Sequence, residues 1–202
     1  SFIETLWGRI PLANLTLVDI ESFTPPRFYI GIKRVGELVL IVTTLPLLVP
    51  LSLLIATAIK LTSPGKVIFR QQRTGLQGKS FTMLKFRSMV TDYDQRPRFA
   101  QEQDKRITRV GKVLRRLRLD ELPQLWNVVR GDMSLIGPRP EQLHFTDHFD
   151  LLIPYYGFRH TTRPGITGWA QVMYGYAASD KQTRAKLEFD FYYIKHMSMW
   201  LD

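Results

Sequence analysis

An uncharged and mostly apolar stretch at 38–59, LVLIVTTLPLLVPLSLLIATAI, is the strongest hydrophobic pattern in the chain. As a straight helix it would reach roughly 33 Å, about the thickness of a membrane's hydrocarbon core. Pro46 and Pro50 fall in the middle, where each proline removes a helical hydrogen bond. Lysine and arginine residues flank both ends, and such residues favour the cytoplasmic side. We therefore predict a proline-broken, re-entrant membrane helix over 33–62; the alternative is a kinked span with a small domain outside.

Two shorter patterns follow the apolar stretch. The segment VIFRQQRTGLQGKSFTMLKFRSM contains two alternating runs around a glycine-containing turn at 75–78, which predicts a β-hairpin. Residues 107–119, ITRVGKVLRRLRL, place apolar side chains at helical spacing among basic ones, which predicts a cationic amphipathic helix. This helix either lies in the headgroup zone on lipid phosphates or packs on the core with a solvated charged face. We expect the membrane-surface arrangement.

The rest of the chain fits one small domain. Residues 1–32 lack a clear period and contain three prolines, so we expect a loosely ordered lead-in. The first residue is serine and not methionine, which indicates the remnant of a longer N-terminal region. With 202 residues and no linker, one core of ordinary size is expected, over 63–202. The predicted fold class is α/β and mostly helical, with the re-entrant helix, a short β-hairpin and membrane-surface amphipathic helices.

Charge and cysteine content narrow the partners and the compartment. The chain has 28 lysine and arginine residues against 18 acidic ones, a formal net charge of +10. This excess favours an anionic partner, which could be nucleic acid, anionic lipid or a phosphorylated small molecule. The absence of cysteine excludes a disulfide scaffold and a thiolate metal site, and it fits a reducing compartment such as the cytoplasm. No aromatic residue separates the cations of 105–118, which argues against nucleic acid.

Two adjacent acids, Asp120 and Glu121 in LRLDELPQLWN, directly follow the basic run. Asp120 can cap the next helix, with Pro123 in its first turn, and the positive helix end would keep the carboxylate ionised. Two neighbouring carboxylates suit Mg²⁺, and a carboxylate can attack a phosphoryl group when a metal neutralises the repulsion. The structural alternative makes Asp120 a helix cap and Glu121 an exposed acid.

Two turns place an arginine beside prolines and glycines. In GPRP, Arg139 lies between two prolines, and such a restricted guanidinium can bind a phosphate with two hydrogen bonds. In TRPGITGWAQV, Arg163 is followed by Gly165 and Thr167, where the backbone can approach a ligand closely. The alternative is that both segments are ordinary turns, which also need glycine and proline.

Two further motifs favour no site. RTGLQGKS ends like a phosphate-binding loop, but the first glycine of that motif would fall on Arg73, and a strand pattern follows where a helix is required. His144 and His148 have the spacing of two zinc ligands on a helix, with Glu141 one turn earlier. No glutamate follows the first histidine as in zinc peptidases, so we expect a solvated or structural pair.

Several longer motifs follow the apolar stretch in a fixed order: KFRSM, LDELPQLWN, GDMSLIGPRP, RPGITGWAQV and KLEFDFYYIK. Together they resemble the bacterial sugar transferases, also called monotopic polyprenyl-phosphate phosphoglycosyl transferases. The resemblance covers about residues 32–202, and it is specific because the motifs are long and in register. The segment WAQVMYGYAASDKQTRAKLEFDFYY is similar to the tail motif of the branch that starts exopolysaccharide or O-antigen synthesis.

The resemblance implies a ping-pong reaction at the cytoplasmic face of the bacterial inner membrane, with 63–202 as the catalytic domain. Asp120 matches the nucleophile, which attacks the β-phosphate of a UDP-sugar, releases UMP and carries the sugar phosphate until polyprenyl (undecaprenyl) phosphate accepts it. Glu121 matches the partner acid that organises Mg²⁺ together with Asp120. The implied substrate-binding residues are Lys85, Arg115, Arg139, Arg163, Gly165, Thr167 and Asp190. The branch suggests glucose or galactose as the sugar, and a homodimer is a further hypothesis.

Two rival hypotheses are open at this point. A membrane-anchored basic module could bind anionic lipid or nucleic acid without catalysis, with an affinity that falls steeply with salt and needs neither Mg²⁺ nor Asp120. A phosphohydrolase with an aspartyl-phosphate intermediate would use the same acid pair, with water in place of the lipid acceptor. Loss of nucleotide sugar without lipid distinguishes this hydrolase from a transferase.

Overall fold

The structure is a computed structural model that describes residues 9–10, 12, 27–90, 106–175 and 179–202. Helices α1 to α6 span Arg27–Thr62, Arg109–Arg116, Gln124–Arg130, Leu143–Leu152, Trp169–Met173 and Asp180–Lys195. Strands β1 to β4 span Ile68–Thr74, Ser80–Phe86, Ser134–Ile136 and Gly165–Thr167. Helices dominate, which confirms the mostly helical prediction. Most of the predicted lead-in over 1–32 lies outside the described residues.

Helix α1 contains the whole apolar stretch and is 36 residues long. Among the described residues it is the one helix long and apolar enough to cross a membrane, with a mean hydropathy of 2.6 over its most apolar 18 residues. Pro46 and Pro50 lie inside the helix without ending it, so the predicted break and the re-entrant path stay predictions. The helix stops before Pro64, which lacks a backbone donor, and Gly65, which takes a positive φ of 111°.

Strands β1 and β2 form the predicted hairpin as an antiparallel pair, in register from Ile68 opposite Phe86 to Thr74 opposite Ser80. The turn between them uses a positive φ of 73° at Gly78, a conformation that glycine adopts without strain. Because Ser80 begins a strand and not a helix, the GKS segment is not a phosphate-binding loop.

Helix α2 is shorter than the predicted amphipathic helix. Thr108 caps its first turn by accepting a hydrogen bond from the backbone N–H of Gly111 at 2.9 Å. The helix buries Gly111 and Leu114 against the domain, whereas Val113 is exposed among basic neighbours. One face therefore packs on the core, and contact of the other face with lipid headgroups stays a prediction.

The chain turns sharply after α2. Arg118 takes the left-handed conformation, with φ 58°, and leads into a 3₁₀ turn at Leu119–Glu121. The predicted helix cap at Asp120 is wrong, because Asp120 lies inside this turn and Pro123 takes the cap position of α3. The acid pair is thus held by a tight turn between two helices and not by a helix end.

Strands β3 and β4 pair in parallel, with Ser134 opposite Gly165 and Ile136 opposite Thr167. This short ladder joins the two arginine-containing turns, since GPRP follows β3 and RPG leads into β4. The approach is very close: a Cβ on Gly165 would lie 2.1 Å from the backbone nitrogen of Gly137. The space on the side of Gly165 where a Cβ would point is therefore filled by protein backbone, and contact of Gly165 with a substrate stays a prediction.

Three groups of buried apolar side chains hold these elements together. One joins α4 to α6 and includes Phe149 and Phe191, so much of the aromatic segment FDFYYIK belongs to the core. The other two groups each include residues of α1, with Ile41 near its middle and Ile59 near its end. The domain therefore contacts both halves of the apolar helix.

Candidate active site

The two candidate catalytic acids lie in the 3₁₀ turn between α2 and α3, and both are buried, with 8% of Asp120 and 7% of Glu121 exposed. Three other segments contribute basic side chains to this place. Strand β2 carries Lys85, helix α2 carries Arg115, and the loop after β3 carries Arg139. The fold thus assembles the site from segments that are distant in sequence.

Two cations hold Glu121. Its Oε1 accepts hydrogen bonds from Lys85 Nζ at 3.0 Å and from Arg139 Nη2 at 2.8 Å. Burial alone would raise the pKa of Glu121, but the charges of Arg139 and Lys85 outweigh burial and lower the pKa to about 2. Burial, together with the charge of Arg139, lowers the pKa of Lys85 to about 8. Glu121 is therefore ionised at neutral pH, and its Oε2 is bonded to neither cation.

Asp120 has a different environment. Among the residues that the structure describes, no side chain donates a hydrogen bond to its carboxylate. Burial raises the pKa of Asp120 and the charge of Glu121 adds to this, whereas Lys85 and Arg115 oppose it. Arg115 is fixed nearby by a hydrogen bond from its Nε to Ser88 Oγ at 3.1 Å. A buried carboxylate without a side-chain partner can attack an electrophilic phosphorus or bind a cation.

A cleft of about 350 Å³ has Glu121, but not Asp120, in its wall. Glu121 and Thr167 contribute polar groups to its wall, and Leu122, Leu125 and Ile166 contribute apolar surface. Small-molecule sites commonly have this size and this combination of apolar surface with a few polar groups. Thr167, a predicted substrate-binding residue, therefore shares a cleft with the candidate catalytic turn.

Two other predicted substrate-binding residues make their contacts elsewhere. Arg163 donates from Nε to the carbonyl oxygen of Gly131 at 3.0 Å, and within the described ranges no hydrogen bond joins it to the acid pair. Asp190 is 2% exposed and pairs through Oδ2 with Arg159 at 2.8 Å. Direct contact of either residue with a substrate stays a prediction, and burial makes such contact unfavourable for Asp190.

Sequence reasoning missed Arg159, which lies behind the loop that carries Arg139. Its side chain is 3% exposed, and its Nη2 donates to the backbone oxygen of Arg139 at 2.9 Å. The only signal was a lone arginine inside the aromatic segment YYGFRH. A guanidinium among core residues needs a buried acid as partner, and Asp190 supplies it.

The acid pair fits Mg²⁺ by its donor set. Proteins usually hold Mg²⁺ with one or two carboxylates, while substrate phosphates and water complete the shell. Asp120 and Glu121 supply two adjacent carboxylates, and each has an oxygen that bonds no cation of the described chain. No group of three or more metal-binding side chains occurs in the part of the chain that the structure describes. A magnesium ion here would therefore take substrate phosphates and water as its further ligands.

Comparison with known proteins agrees with this geometry. The family model described as "Bacterial sugar transferase" matches residues 28–202. The chain is 53% identical to the UDP-N-acetylgalactosamine-undecaprenyl-phosphate N-acetylgalactosaminephosphotransferase of Aeromonas hydrophila, with 98% of the chain and 47% of that protein covered. A UDP-glucose:undecaprenyl-phosphate glucose-1-phosphate transferase from Xanthomonas campestris pv. campestris is 42% identical, with 96% and 40% covered. Its namesake in Escherichia coli (strain K12) is 44% identical, with 85% and 38% covered. The chain thus spans less than half the length of these relatives.

Proposed function

Because the chain belongs to the bacterial sugar transferase family, we propose that it transfers a sugar-1-phosphate from a UDP-sugar to undecaprenyl phosphate and releases UMP. The names of its relatives support both substrates. The observation that carries the proposal is the Asp120 carboxylate, which is buried near Lys85 and Arg115 and lacks a side-chain partner among the described residues. We assign the reaction to the first membrane step of exopolysaccharide or O-antigen synthesis.

In the first half of the reaction, an Asp120 oxygen attacks the β-phosphorus of the UDP-sugar. A bond forms between the carboxylate oxygen and phosphorus, the bond from phosphorus to the bridging oxygen breaks, and UMP leaves with that oxygen and its electron pair. The sugar phosphate is then an acyl phosphate on Asp120. The nucleophile must be ionised, and the nearby charges of Lys85 and Arg115 favour that form against the effect of burial on the pKa of Asp120.

In the second half, an oxygen of undecaprenyl phosphate attacks the same phosphorus. The bond to Asp120 breaks, the carboxylate is regenerated, and an undecaprenyl diphosphate sugar is formed. Two displacements at one phosphorus let a water-soluble donor and a lipid acceptor use one site in turn. The two substrates therefore need not be oriented there at the same time, which removes a large entropic cost.

The basic residues and Glu121 would organise the phosphates. Mg²⁺, when held by the acid pair, would neutralise charge on the diphosphate. Lys85 uses one of its N–H donors on Glu121, so its other donors are available to phosphate oxygens. Arg139 can add a planar guanidinium that matches phosphate geometry.

We also propose that α1 is re-entrant, with both ends at the cytoplasmic face of the inner membrane. Near its start, Lys33 Nζ donates to the Ile136 carbonyl oxygen at 2.9 Å. Just beyond its end, the Ser63 carbonyl oxygen accepts from Arg87 Nη2 at 2.7 Å. Both ends of the helix thus contact the same domain, whereas a straight helix would separate these two contacts by roughly 45 Å. Exposed apolar side chains between them, such as Leu47, would be covered by lipid.

The covalent step is tested by incubating the full chain with a UDP-sugar alone and weighing the peptide that contains Asp120. We expect this peptide to gain one sugar phosphate as UMP is released, and Asp120→Asn to show neither change. Asp147→Asn changes an exposed acid on α4 and is the matched control, which should behave like the wild type. Product formation with lipid, but no mass gain on this peptide with donor alone, would contradict the nucleophile assignment.

The same assay separates the rival functions and identifies the sugar. A phosphohydrolase would consume nucleotide sugar continuously without lipid, whereas the transferase needs undecaprenyl phosphate for repeated turnover. A panel of UDP-N-acetylgalactosamine, UDP-glucose and UDP-galactose identifies the donor. The binding-only module is not favoured by the relatives, and it would release no UMP from any donor.

The path of α1 is tested with single cysteines, since the chain has none of its own. Gly31→Cys and Lys66→Cys introduce thiols at exposed positions on the two sides of the apolar stretch. In sealed vesicles, a re-entrant helix lets a membrane-impermeant reagent label both from one side, and labelling from opposite sides would indicate a span. Leu47→Cys is the control and should be protected by lipid. The homodimer and the exclusion of nucleic acid stay predictions.

A further inference from the structure

The loop that carries Arg139 is held by other parts of the chain. Pro138 and Pro140 have no backbone N–H, so the loop cannot donate from either position. Their carbonyl oxygens accept hydrogen bonds from outside the loop, Pro138 from the backbone N–H of Gly165 at 2.9 Å and Pro140 from Arg73 Nη1 at 3.0 Å. The carbonyl oxygen between them belongs to Arg139.

Arg159 holds this middle carbonyl oxygen through Nη2, at 2.9 Å. The same guanidinium pairs with Asp190 Oδ2, at 2.8 Å from Nη2 and 3.2 Å from Nε, and its Nη1 donates to the hydroxyl of Tyr156 at 2.8 Å. The side chains of Arg159 and Asp190 are each 3% exposed. Because an arginine presents its donors in one rigid plane, Asp190 fixes the direction of the donor that reaches Arg139.

The side chain of Arg139 extends the connection to the acid pair. Its Nη2 donates to Glu121 Oε1 at 2.8 Å, and its Nη1 donates to the Ile166 carbonyl oxygen at 3.3 Å. Hydrogen bonds therefore link Asp190 to Arg159, Arg159 to the backbone of Arg139, and the side chain of Arg139 to Glu121. A displacement at the buried end of this path would move the guanidinium beside the catalytic turn.

Asp190 lies against a space that no sugar nucleotide can enter. Together with Arg159 and Glu141 it lines a cavity of about 20 Å³, which has room for about one water molecule. Neither Asp190 nor Arg159 lines the cleft beside Glu121. Burial keeps these two residues from direct contact with a substrate, whereas hydrogen bonds through Arg139 connect them to Glu121.

We propose that Arg159 and Asp190 are positioning residues that act on the transfer reaction only through Arg139. The inference rests on the proposed function. Without the pair, the loop of Arg139 loses its middle anchor, and a shift of about 1 Å near the reacting atoms can lower kcat by about a hundredfold. Arg139 is not one of the residues that line the cleft, and those residues are unchanged, so we expect the KM for the UDP-sugar to stay close to that of the wild type.

The test is a double-mutant cycle with Asp190→Asn, Arg139→Ala and the double variant, with UMP release measured at saturating undecaprenyl phosphate. We expect Asp190→Asn to lower kcat by about tenfold to a hundredfold at nearly constant KM. The double variant should be no slower than Arg139→Ala, because the loss of the Arg139 side chain already removes the link between Asp190 and Glu121. Glu188→Gln, two residues earlier on α6, is the matched control and should keep wild-type kcat.

Multiplied losses in the double variant, or a rise in KM without a fall in kcat, would overturn the proposal, because either result indicates a separate role for Asp190. If Asp190→Asn does not fold, Arg159→Lys replaces it in the cycle, since lysine keeps the charge beside Asp190 but lacks the planar fork. A different result would contradict the proposed function itself: the wild type would release no UMP from any UDP-sugar of the panel.

Discussion

Two ionic clusters, each with buried and half-buried members, lie on either side of the loop that carries Arg139. The front cluster consists of Lys85, Arg115, Asp120, Glu121 and Arg139, and the rear cluster of Arg73, Glu141, Arg159, Lys186 and Asp190. In the rear cluster each acid has a basic partner, at 2.8 Å for Asp190 and 3.4 Å for Glu141. In the front cluster Glu121 has two partners, whereas Asp120 has no side-chain partner among the described residues.

This difference separates a supporting cluster from a reactive one. A buried carboxylate without a partner costs folding free energy. Burial raises the pKa of Asp120 and also that of Asp190, which has Arg159 as a partner, so the contrast between the clusters lies in the pairing and not in the direction of the pKa. A buried carboxylate with good partners fixes one geometry and has little capacity left for a ligand. Both clusters combine acids with arginine and lysine, so composition cannot tell them apart. Only the completeness of pairing identifies the front cluster as the candidate site.

The largest effect is expected from Asp120→Asn in the front cluster. Turnover should fall by about 10³-fold or more, because an amide cannot carry the phosphosugar. The Tm should rise, since a folded-state pKa above the unfolded value means that ionisation of Asp120 opposes folding at neutral pH. UMP release and calorimetry measure the two effects, with Asp147→Asn as the control. A lower Tm would show that the Asp120 carboxylate is well paired, and the two clusters would then not differ in the pairing of their acids.

In the rear cluster we expect a smaller loss of turnover than at Asp120, and a change in stability of the opposite sign. Asp190→Leu leaves Arg159 as a buried unpaired cation and should lower the free energy of unfolding by about 3–5 kcal/mol. The double variant Arg159→Met with Asp190→Leu should recover most of this, because an apolar pair has no charge to desolvate. Tryptophan fluorescence in urea measures the stabilities. Turnover of the double variant should stay low, because the Arg139 carbonyl oxygen still lacks its hydrogen-bond donor. If turnover recovered together with stability, the rear cluster would contribute to stability alone.

The sequence alone predicts the features that depend on local patterns. The apolar helix and the β1–β2 hairpin follow from residue periodicity, and both are present. The resemblance to a family identified Asp120 and Glu121, and the structure bonds Glu121 to Lys85 and Arg139, two further residues that the resemblance named; their roles stay predictions. These features are carried by contiguous residues or by motifs long enough to be specific.

Contacts between distant segments could not be read from the sequence. Arg159 and the carbonyl oxygen of Arg139 are 20 residues apart, and no periodicity connects them. The sequence does not show that the backbone of Gly137 packs against Gly165 on the side where a Cβ would point. Asp120 looked like a helix cap because the left-handed turn at Arg118 depends on tertiary packing as well as on local preference.

A third prediction concerns the contact between β3 and β4, which supports the loop shared by both clusters. Gly165→Ala would place a methyl group 2.1 Å from the nitrogen of Gly137, so the strands must separate. We expect the free energy of unfolding to fall by about 1–3 kcal/mol. Turnover should fall with it, since the loop carries Arg139. Gly157→Ala is the control, because its nearest neighbour would be Asp150 Oδ1 at 3.6 Å. Unchanged stability and turnover in Gly165→Ala would show that the contact between β3 and β4 does not support the loop of Arg139.

The smallest effect is expected at His160, which lies beside the rear cluster with its ring edge-on to Tyr156 at 5.9 Å. Burial, together with the charge of Arg159, lowers the pKa of His160 to about 3. The unfolded chain, with a pKa near 6.5, binds this proton more tightly, so acidification favours unfolding. Stability from this residue is therefore complete above about pH 6.5 and falls as the pH approaches the folded-state pKa.

Between pH 7 and pH 5.5, His160 should account for a loss of about 1 kcal/mol in the free energy of unfolding. His160→Phe keeps an aromatic ring against Tyr156 and removes the titrating group, so its stability should fall less over this range. His144→Phe, at an exposed position on α4, is the control and should keep the wild-type slope. If the free energy of unfolding fell equally steeply with pH in His160→Phe and in the wild type, His160 could be protonated in the folded protein beside the rear cluster. The two clusters would then no longer differ in their tolerance of an unpaired ion.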